Sequence, residues 1–369
     1  MAKENRYSRH LALPGFTLES QEKLQRSCVA IVGCGGLGTP VAIYLAAAGI
    51  GRLILIDHDN VSLSNLQRQV LFTENDIGQS KVERMTRRLL ELNSSCEIVS
   101  QNVAISAINA VDLLKEADVI LDCSDNFPTR YLLCDVSLKL GIPVVYGAIH
   151  QFEGQVAVFN ARRDINYRDL YAQPPMPEVV ENCETGGVFG TLAGIMGSMQ
   201  ANEALKLLSG LGEILDGKVC YFDAVSNRTH TFEVSENPHN LYRRKNAVQI
   251  ELIDYELFCG TKKTELYNMN EISVQELKAM MDSQEDYQLI DVREPFEFNE
   301  TNLGALLIPM NRIPERVNEV SKEKKVVVHC KAGTRSANVI HYLESQHGFT
   351  NLSNLRGGIM AWEQAFGKP

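Results

Sequence analysis

The sequence predicts two α/β domains in tandem, and three observations carry that prediction. Runs rich in Val and Ile alternate with stretches of helical spacing. A Gly-x-Gly-x-x-Gly follows the first of those runs. The alternation then fades before a second, shorter α/β series begins near residue 271. A chain of 369 residues, 44% hydrophobic and 22% charged, has ordinary globular composition and enough length for both domains.

The strand-like runs of the first half lie at 27–32 (SCVAIV), 52–57 (RLILID), 96–102 (CEIVSQN), 118–123 (DVILDC) and 143–148 (PVVYGA). Helical spacing fills 39–48, 79–92, 107–115 and 129–140 between or after them. Strand–helix alternation of this kind predicts a mainly parallel sheet covered on both faces. Further strands are expected at 154–159, 218–222 and 229–234, with a helix over about 190–208. The polar, irregular stretch from Ser235 to Asn270 sets the first domain at 1–245, a linker at 246–270 and the second domain at 271–369. In the second domain, helices are expected at 273–281, 334–345 and 359–366, and strands at 287–291, 325–329 and 351–355.

The formal net charge of −10 argues against nucleic acid as the main partner, because phosphate binding leaves a basic footprint. The opening MAKENRYSRH has no apolar core of a secretory signal. The charge-free stretch between Glu184 and Glu203 is rich in Gly, Thr and Ser, so it reads as a buried helix rather than a membrane span. Nine scattered cysteines suit reduced thiols rather than a disulfide framework, and place the chain in the cytoplasm.

The first expected strand runs into Gly33-Cys34-Gly35-Gly36-Leu37-Gly38. Glycines there permit a tight turn and let phosphate approach N–H groups at a helix N-terminus, whose dipole favours an anion. Asp57 ends the next strand, where a carboxylate can accept ribose hydroxyls. On the fingerprint alone NAD is the default nucleotide. The following segment points elsewhere: Asp57 to Gln69 reads DHDNVSLSNLQRQ, and Gly78-Gln79-Ser80-Lys81 opens a helix. Alone, Arg68 and Lys81 read as solvated surface charges; together with Asn65 they suit a polyphosphate whose charge must be held during transfer.

These motifs, in this order, resemble the ThiF/MoeB family, relatives of the ubiquitin-activating enzymes. The resemblance continues through Asp122-Cys123-Ser124-Asp125-Asn126, Glu153-Gly154-Gln155 and Glu181-Asn182-Cys183-Glu184, and spans roughly residues 5–260. It implies a Rossmann-like adenylating domain that uses ATP and Mg²⁺. By the resemblance, Gly36, Asp57, Ser64, Asn65, Leu66, Gln67, Arg68, Lys81, Asp125 and Asn126 hold ATP, with Asp125 as the Mg²⁺-associated carboxylate. Arg9 matches an arginine that reaches into a neighbour's site, which implies a homodimer. Cys183 matches a reactive cysteine; as an isolated residue it reads as a small buried apolar side chain. The substrate implied is a small ubiquitin-like sulfur carrier, MoaD-like or ThiS-like, whose C-terminal carboxylate is ionised at neutral pH (pKa roughly 3.5) and needs no general base. Close relatives carry a zinc on two Cys-x-x-Cys pairs, but the matching segments here read Asn166-Tyr167-Arg168-Asp169 and Asn240-Leu241-Tyr242-Arg243. No structural zinc is expected, and packing or polar contacts should hold the region.

His329-Cys330-Lys331-Ala332-Gly333-Thr334-Arg335-Ser336 follows a strand and opens a helix. A thiol in such a loop meets backbone N–H groups, a helix N-terminus and two cationic side chains, which favour the nucleophilic thiolate. A tyrosine-phosphatase loop sets its Arg one residue further from the Cys. The shorter loop, with Leu289-Ile290-Asp291-Val292-Arg293-Glu294 upstream and Leu355-Arg356-Gly357-Gly358 downstream, resembles a small α/β rhodanese domain over about 271–369. That likeness makes Cys330 a persulfide carrier, loaded by a donor such as a cysteine desulfurase or thiosulfate. Asp291 and Arg293 are expected to organise loops. The two domains together imply formation of a carrier thiocarboxylate for molybdopterin or thiamine biosynthesis. A nicotinamide oxidoreductase leaves Asn65, Arg68 and Lys81 unexplained. A non-catalytic carrier-binding scaffold leaves the intact Cys330 loop unexplained.

Overall fold

The computed structural model describes residues 6–175, 187–238, 240–260, 269–283 and 285–368. The chain divides into two compact units, Met1–Tyr255 and Glu256–Pro369. The first is built on an eight-stranded sheet of order β3-β2-β1-β4-β5-β6-β7-β8. Its strands are β1 (Cys28–Val32), β2 (Arg52–Ile56), β3 (Glu97–Gln101), β4 (Val119–Asp122), β5 (Val144–His150), β6 (Glu153–Phe159), β7 (Lys218–Asp223) and β8 (Arg228–Glu233). The pairs linking β3, β2, β1, β4 and β5 are parallel; those linking β5 through β8 are antiparallel.

Burial explains the sequence of each strand. Central β1, pairing on both sides (Val29 with Leu53 and with Val119), is buried at every residue and is apolar throughout. Edge strand β8, RTHTFE, is exposed at every residue, and its polar side chains protect an open edge from pairing with other chains. The helix expected near 190–208 is Gly190–Ser209, which buries Leu192, Ala193 and Met196. A Cβ built on Gly197 would lie 2.5 Å from the Leu37 carbonyl oxygen, so only glycine lets this helix approach the start of helix Gly38–Ala48. No helix among the described residues is long and apolar enough to cross a membrane.

The first unit extends past residue 245. The 3-10 turn Arg244–Gln249 is followed by Ile250, whose carbonyl accepts from Lys139 Nζ at 3.2 Å, and by Tyr255, whose hydroxyl donates to buried Asp135 at 2.6 Å. Residues 246–255, linker by the sequence pattern, are thus tied to helix Phe127–Leu140. Short-range periodicity gives no sign of this, because the contacts are single polar side chains.

The second unit is a five-stranded sheet of order β11-β10-β12-β13-β9, parallel at every pairing. Strands β10 (Tyr287–Asp291), β12 (Lys325–His329) and β13 (Leu352–Leu355) fall where the sequence placed them. Strands β9 (Glu271–Ile272) and β11 (Leu306–Leu307) have two residues each, too few to show a period. Helices Val274–Asp282, Thr334–His347 and Gly358–Phe366 complete the predicted set. The one-turn helix Pro295–Glu300 was not foreseen.

Candidate functional sites

In the first sheet the strand order turns between β1 and β4, which opens a crevice beyond their carboxyl ends. The glycine loop lies there. Gly33 has φ +94°, and a Cβ on it would stand 2.6 Å from the Cys123 carbonyl oxygen, so the loops after β1 and β4 touch. A Cβ on Gly38 would stand 2.0 Å from the Gly33 carbonyl oxygen, which fixes the tightness of the turn into helix Gly38–Ala48. A Cβ on Gly36 would lie 3.5 Å from the side-chain carbons of Arg68, so the Arg68 stem covers the loop.

The Asp57 carboxylate joins this loop to the next. Its oxygens accept the Cys34 N–H at 2.7 Å and the Asp59 N–H at 2.8 Å. Lys81 is buried, and its ammonium donates to Asp59 Oδ2 at 2.8 Å. Partial burial pushes the Asp59 carboxyl up, but the Lys81 contact outweighs it and holds the group below its ordinary range. Arg68 Nη1 donates to the Ser64 carbonyl at 3.0 Å. Asn65 Oδ1 accepts the Ser62 N–H at 3.1 Å, so one of its polar atoms shapes the loop. The carbonyl of Gln67 lies 2.5 Å from a Cβ built on Gly190, and Leu66 packs against the core. The sequence reading does not single out Asp59, because its contact with Lys81, 22 residues on, leaves no local pattern.

Asp125 and Asn126 follow β4, and both are exposed. Asn126 caps helix Phe127–Leu140, its Oδ1 accepting the Thr129 N–H at 2.9 Å, while its Nδ2 is 3.5 Å from Asp125 Oδ1. Arg9 is exposed on the short helix Ser8–Leu11, between two anchors: Tyr7, whose hydroxyl accepts from Asn93, and His10, which meets Gln21. Cys183 lies outside the described residues.

The four positions at which relatives would carry zinc thiolates converge. Asp169 accepts two hydrogen bonds from Arg243, both 2.7 Å, and one from Asn240 at 3.0 Å. Asn240 also donates to Asn166 Oδ1 at 3.0 Å, and Asn166 donates to the Tyr242 carbonyl at 2.8 Å. Burial raises the Asp169 carboxyl, but Arg243 and three further donors hold it below its ordinary range. One carboxylate, two amides and a guanidinium do not fit tetrahedral zinc, which takes thiolate, imidazole or carboxylate ligands. Behind the cluster, Asp135 and Arg168 form a buried bidentate pair at 2.8 Å, with the guanidinium 3.9 Å from the Tyr242 ring centroid.

The second site lies at the carboxyl end of β12. Cys330 is 1% exposed, its Sγ accepts the Gly333 N–H at 3.1 Å, and Ser336 Oγ is 3.5 Å away. Gly333 (φ +99°) turns the loop into helix Thr334–His347. The Gly357-Gly358 pair supports it from below: a Cβ on Gly358 would meet the Cys330 carbonyl oxygen at 2.4 Å. That carbonyl accepts the Ile359 N–H at 2.9 Å. Asp291 and Arg293 are both buried and pair at 2.6 Å, with Arg293 also donating to the Thr301 carbonyl. They organise the loop after β10 and touch no sulfur in the described contacts. His329 is fully buried, 3.6 Å from Asp291, and burial pushes its pKa down to about 4.

Arg335, one of the two cations expected near the thiol, lies close enough to Cys330 to interact with it electrostatically, and its guanidinium also forms two 2.7 Å bonds to Glu297 of helix Pro295–Glu300. Nothing in the local sequence distinguishes Glu297 from the acids around it.

Comparison with known proteins agrees with this architecture. Residues 7–243 match the ThiF family and residues 273–365 the rhodanese-like domain. The chain is similar to a probable adenylyltransferase/sulfurtransferase MoeZ of Mycobacterium tuberculosis, 38% identical over 97% of this chain and 92% of the relative. It is similar to the adenylyltransferase and sulfurtransferase MOCS3 of Drosophila yakuba, 39% identical over 97% of this chain and 82% of that protein. Among solved structures, E. coli MccB with ATP shares the fold at a TM-score of 0.58 and 23% identity, covering 65% of this chain and 75% of that one.

Proposed function

The chain belongs to the ThiF family, with a rhodanese-like domain behind it, and is an enzyme with adenylyltransferase and sulfurtransferase activity; we propose the following course for its reaction. The C-terminal glycine carboxylate of a ubiquitin-like sulfur carrier attacks the α-phosphorus of ATP, and the bond to pyrophosphate breaks. The outer sulfur of a Cys330 persulfide then attacks the acyl-adenylate carbonyl and AMP leaves. A thiolate, that of Cys183 or of an external thiol, cleaves the resulting acyl disulfide at the Cys330 sulfur, which frees the C-terminal thiocarboxylate and leaves a disulfide on Cys330. The carrier is MoaD-like or ThiS-like, and the product feeds molybdopterin or thiamine biosynthesis.

The observation that carries this reading is the crevice at β1 and β4, where a glycine turn, the Arg68 stem and the Asp57 carboxylate meet. The turn offers N–H groups at a helix N-terminus to phosphate. Arg68 and Lys81 supply positive charge for the attack, and Asp57 keeps lone pairs for ribose hydroxyls while it holds the Cys34 and Asp59 N–H groups. Ser64, Asn65, Leu66 and Gln67 form the wall between Asp57 and Arg68. Mg²⁺ at Asp125 would neutralise phosphate charge, and an exposed carboxylate after β4 is a fitting ligand. Asn126 sets that loop as a helix cap. Arg9 of a second subunit completes the site in a homodimer. The Asn166, Asp169, Asn240 and Arg243 cluster takes the place of a structural zinc.

ATP–pyrophosphate exchange with Mg²⁺, run with and without each candidate carrier, tests the reading. Exchange that requires one carrier is the expected outcome and selects the pathway. Absence of exchange with every carrier, in folded dimeric protein, would leave a carrier-binding scaffold as the better account.

A further inference from the structure

We propose that Glu297 is a specificity-determining residue of the sulfur site. By holding the Arg335 guanidinium, it neutralises one of the two cations of the Cys330 loop and selects persulfide sulfur carried on a polypeptide cysteine over the free thiosulfate dianion. The inference rests on the reading of Cys330 as a persulfide carrier.

The ion pair is bidentate, with both Nη–Oε distances 2.7 Å, and partly buried at both ends. Its geometry is fixed from behind: Glu297 Oε2 accepts the Glu294 N–H at 3.0 Å, and the Glu297 carbonyl accepts from Arg293 at 3.3 Å. Burial disfavours both charges, yet the contact holds the Glu297 carboxyl below its ordinary range and the Arg335 guanidinium above its own, so the pair stays ionised at neutral pH. Glu294 is a second acid close enough to act on Arg335. Arg335 therefore faces two acids, Glu297 in contact and Glu294 nearby, while Lys331 is exposed. A loop that must attract a dianion gains from unpaired cations, and this one has its guanidinium already bound.

The elements that hold the loop also present apolar side chains outward. Phe296, beside Glu297, is 68% exposed, and Met360, whose N–H binds the Lys331 carbonyl at 3.1 Å, is 51% exposed. Such side chains give a polypeptide donor something to rest on and give thiosulfate nothing. In the favoured step, Cys330 thiolate attacks the terminal sulfur of the donor persulfide. A new S–S bond forms on Cys330, the donor's S–S bond breaks, and the donor cysteine leaves as thiolate with the electron pair. With thiosulfate, attack on its outer sulfur would expel sulfite in the same way.

The test follows the gain of one sulfur atom on Cys330 by intact mass, in the full chain, with thiosulfate and with a cysteine-persulfide peptide as donors. Removing one negative charge beside the loop in Glu297→Gln is expected to raise thiosulfate loading about tenfold and peptide loading less than about twofold. Glu297→Asp, which keeps the charge, should stay within about twofold of wild type with both donors. In wild type, thiosulfate loading should hold steady or rise with added salt, a measurement that needs no variant. A steep fall with salt, or a Glu297→Gln gain equal for the two donors, overturns the role of Glu297. Wild-type chain that loads from neither donor overturns instead the persulfide reading beneath it.

Discussion

The two sites solve one geometric problem in opposite ways. Each lies at the carboxyl end of a parallel sheet, where a strand passes through a glycine-bearing loop into a helix. At the first, the loop offers backbone, and the neighbouring loop after β4 leaves Asp125 and Asn126 in solvent. At the second, the loop closes over a thiol that is 1% exposed, with a fully buried His behind it. A site that receives a large, charged nucleotide suits an open crevice with many shared polar contacts. A site that stores one reactive sulfur suits a dry cradle with few. The difference predicts that damage to one should leave the other working, since the described residues of the two sites lie in different units.

The largest effect should come from dividing the two chemistries. Cys330→Ala is expected to lower sulfur delivery by at least about 10³-fold, because nothing in the loop replaces the nucleophile. Carrier-dependent ATP–pyrophosphate exchange should remain within about twofold of wild type. Lys81→Ala should do the reverse, lowering exchange about 10²- to 10³-fold while Cys330 still accepts sulfur. Loss of both activities in either variant would break the comparison and make the units interdependent.

A second contrast lies inside the first unit, between the backbone-built nucleotide loop and the side-chain cluster of Asn166, Asp169, Asn240 and Arg243. Removing Asp169 would leave the Arg243 guanidinium buried without its main partner. Asp169→Ala is expected to cost the first unit about 3–5 kcal/mol in denaturant unfolding, with little effect on the second. A chelator should leave the same unfolding curve unchanged. A large shift on chelation would mean that a metal, not this ion pair, holds the segment.

The sequence carried the two sheets well, and for a physical reason. Strands such as Cys28–Val32 and Lys325–His329 are buried on both faces, so their composition alone separates them from the helices. The Cys330 loop was legible because a thiol, glycine and arginine at fixed spacing are rare together. The polar pairings were not. Asp59 with Lys81, Glu297 with Arg335 and Tyr255 with Asp135 each join residues far apart in the chain, and no local period records them. The zinc-ligand positions show the same limit from the other side: absence of cysteine was plain, but the bidentate Asp169–Arg243 pair that stands there was visible only once the two segments met.

The dryness of the sulfur site leaves one further mark, on acid stability. His329 is held neutral, chiefly by burial, although Asp291 at 3.6 Å opposes the shift; neighbouring Arg293 adds to it. Its pKa of about 4 in the folded state lies below the ordinary value of 6.5, so the unfolded chain takes up the proton first. Stability from this residue is therefore complete above pH 6.5 and is lost as pH falls from there towards 4. The loss should reach about 3 kcal/mol, confined to the second unit. Denaturant unfolding of the full chain across that pH range, followed by Trp362 fluorescence as the chain's single Trp, reads the second unit alone. His329→Leu should flatten that dependence. If the wild-type curve is already flat, the His329 environment takes up a proton without opening, and the cradle behind Cys330 is not as dry as the nucleotide crevice is wet.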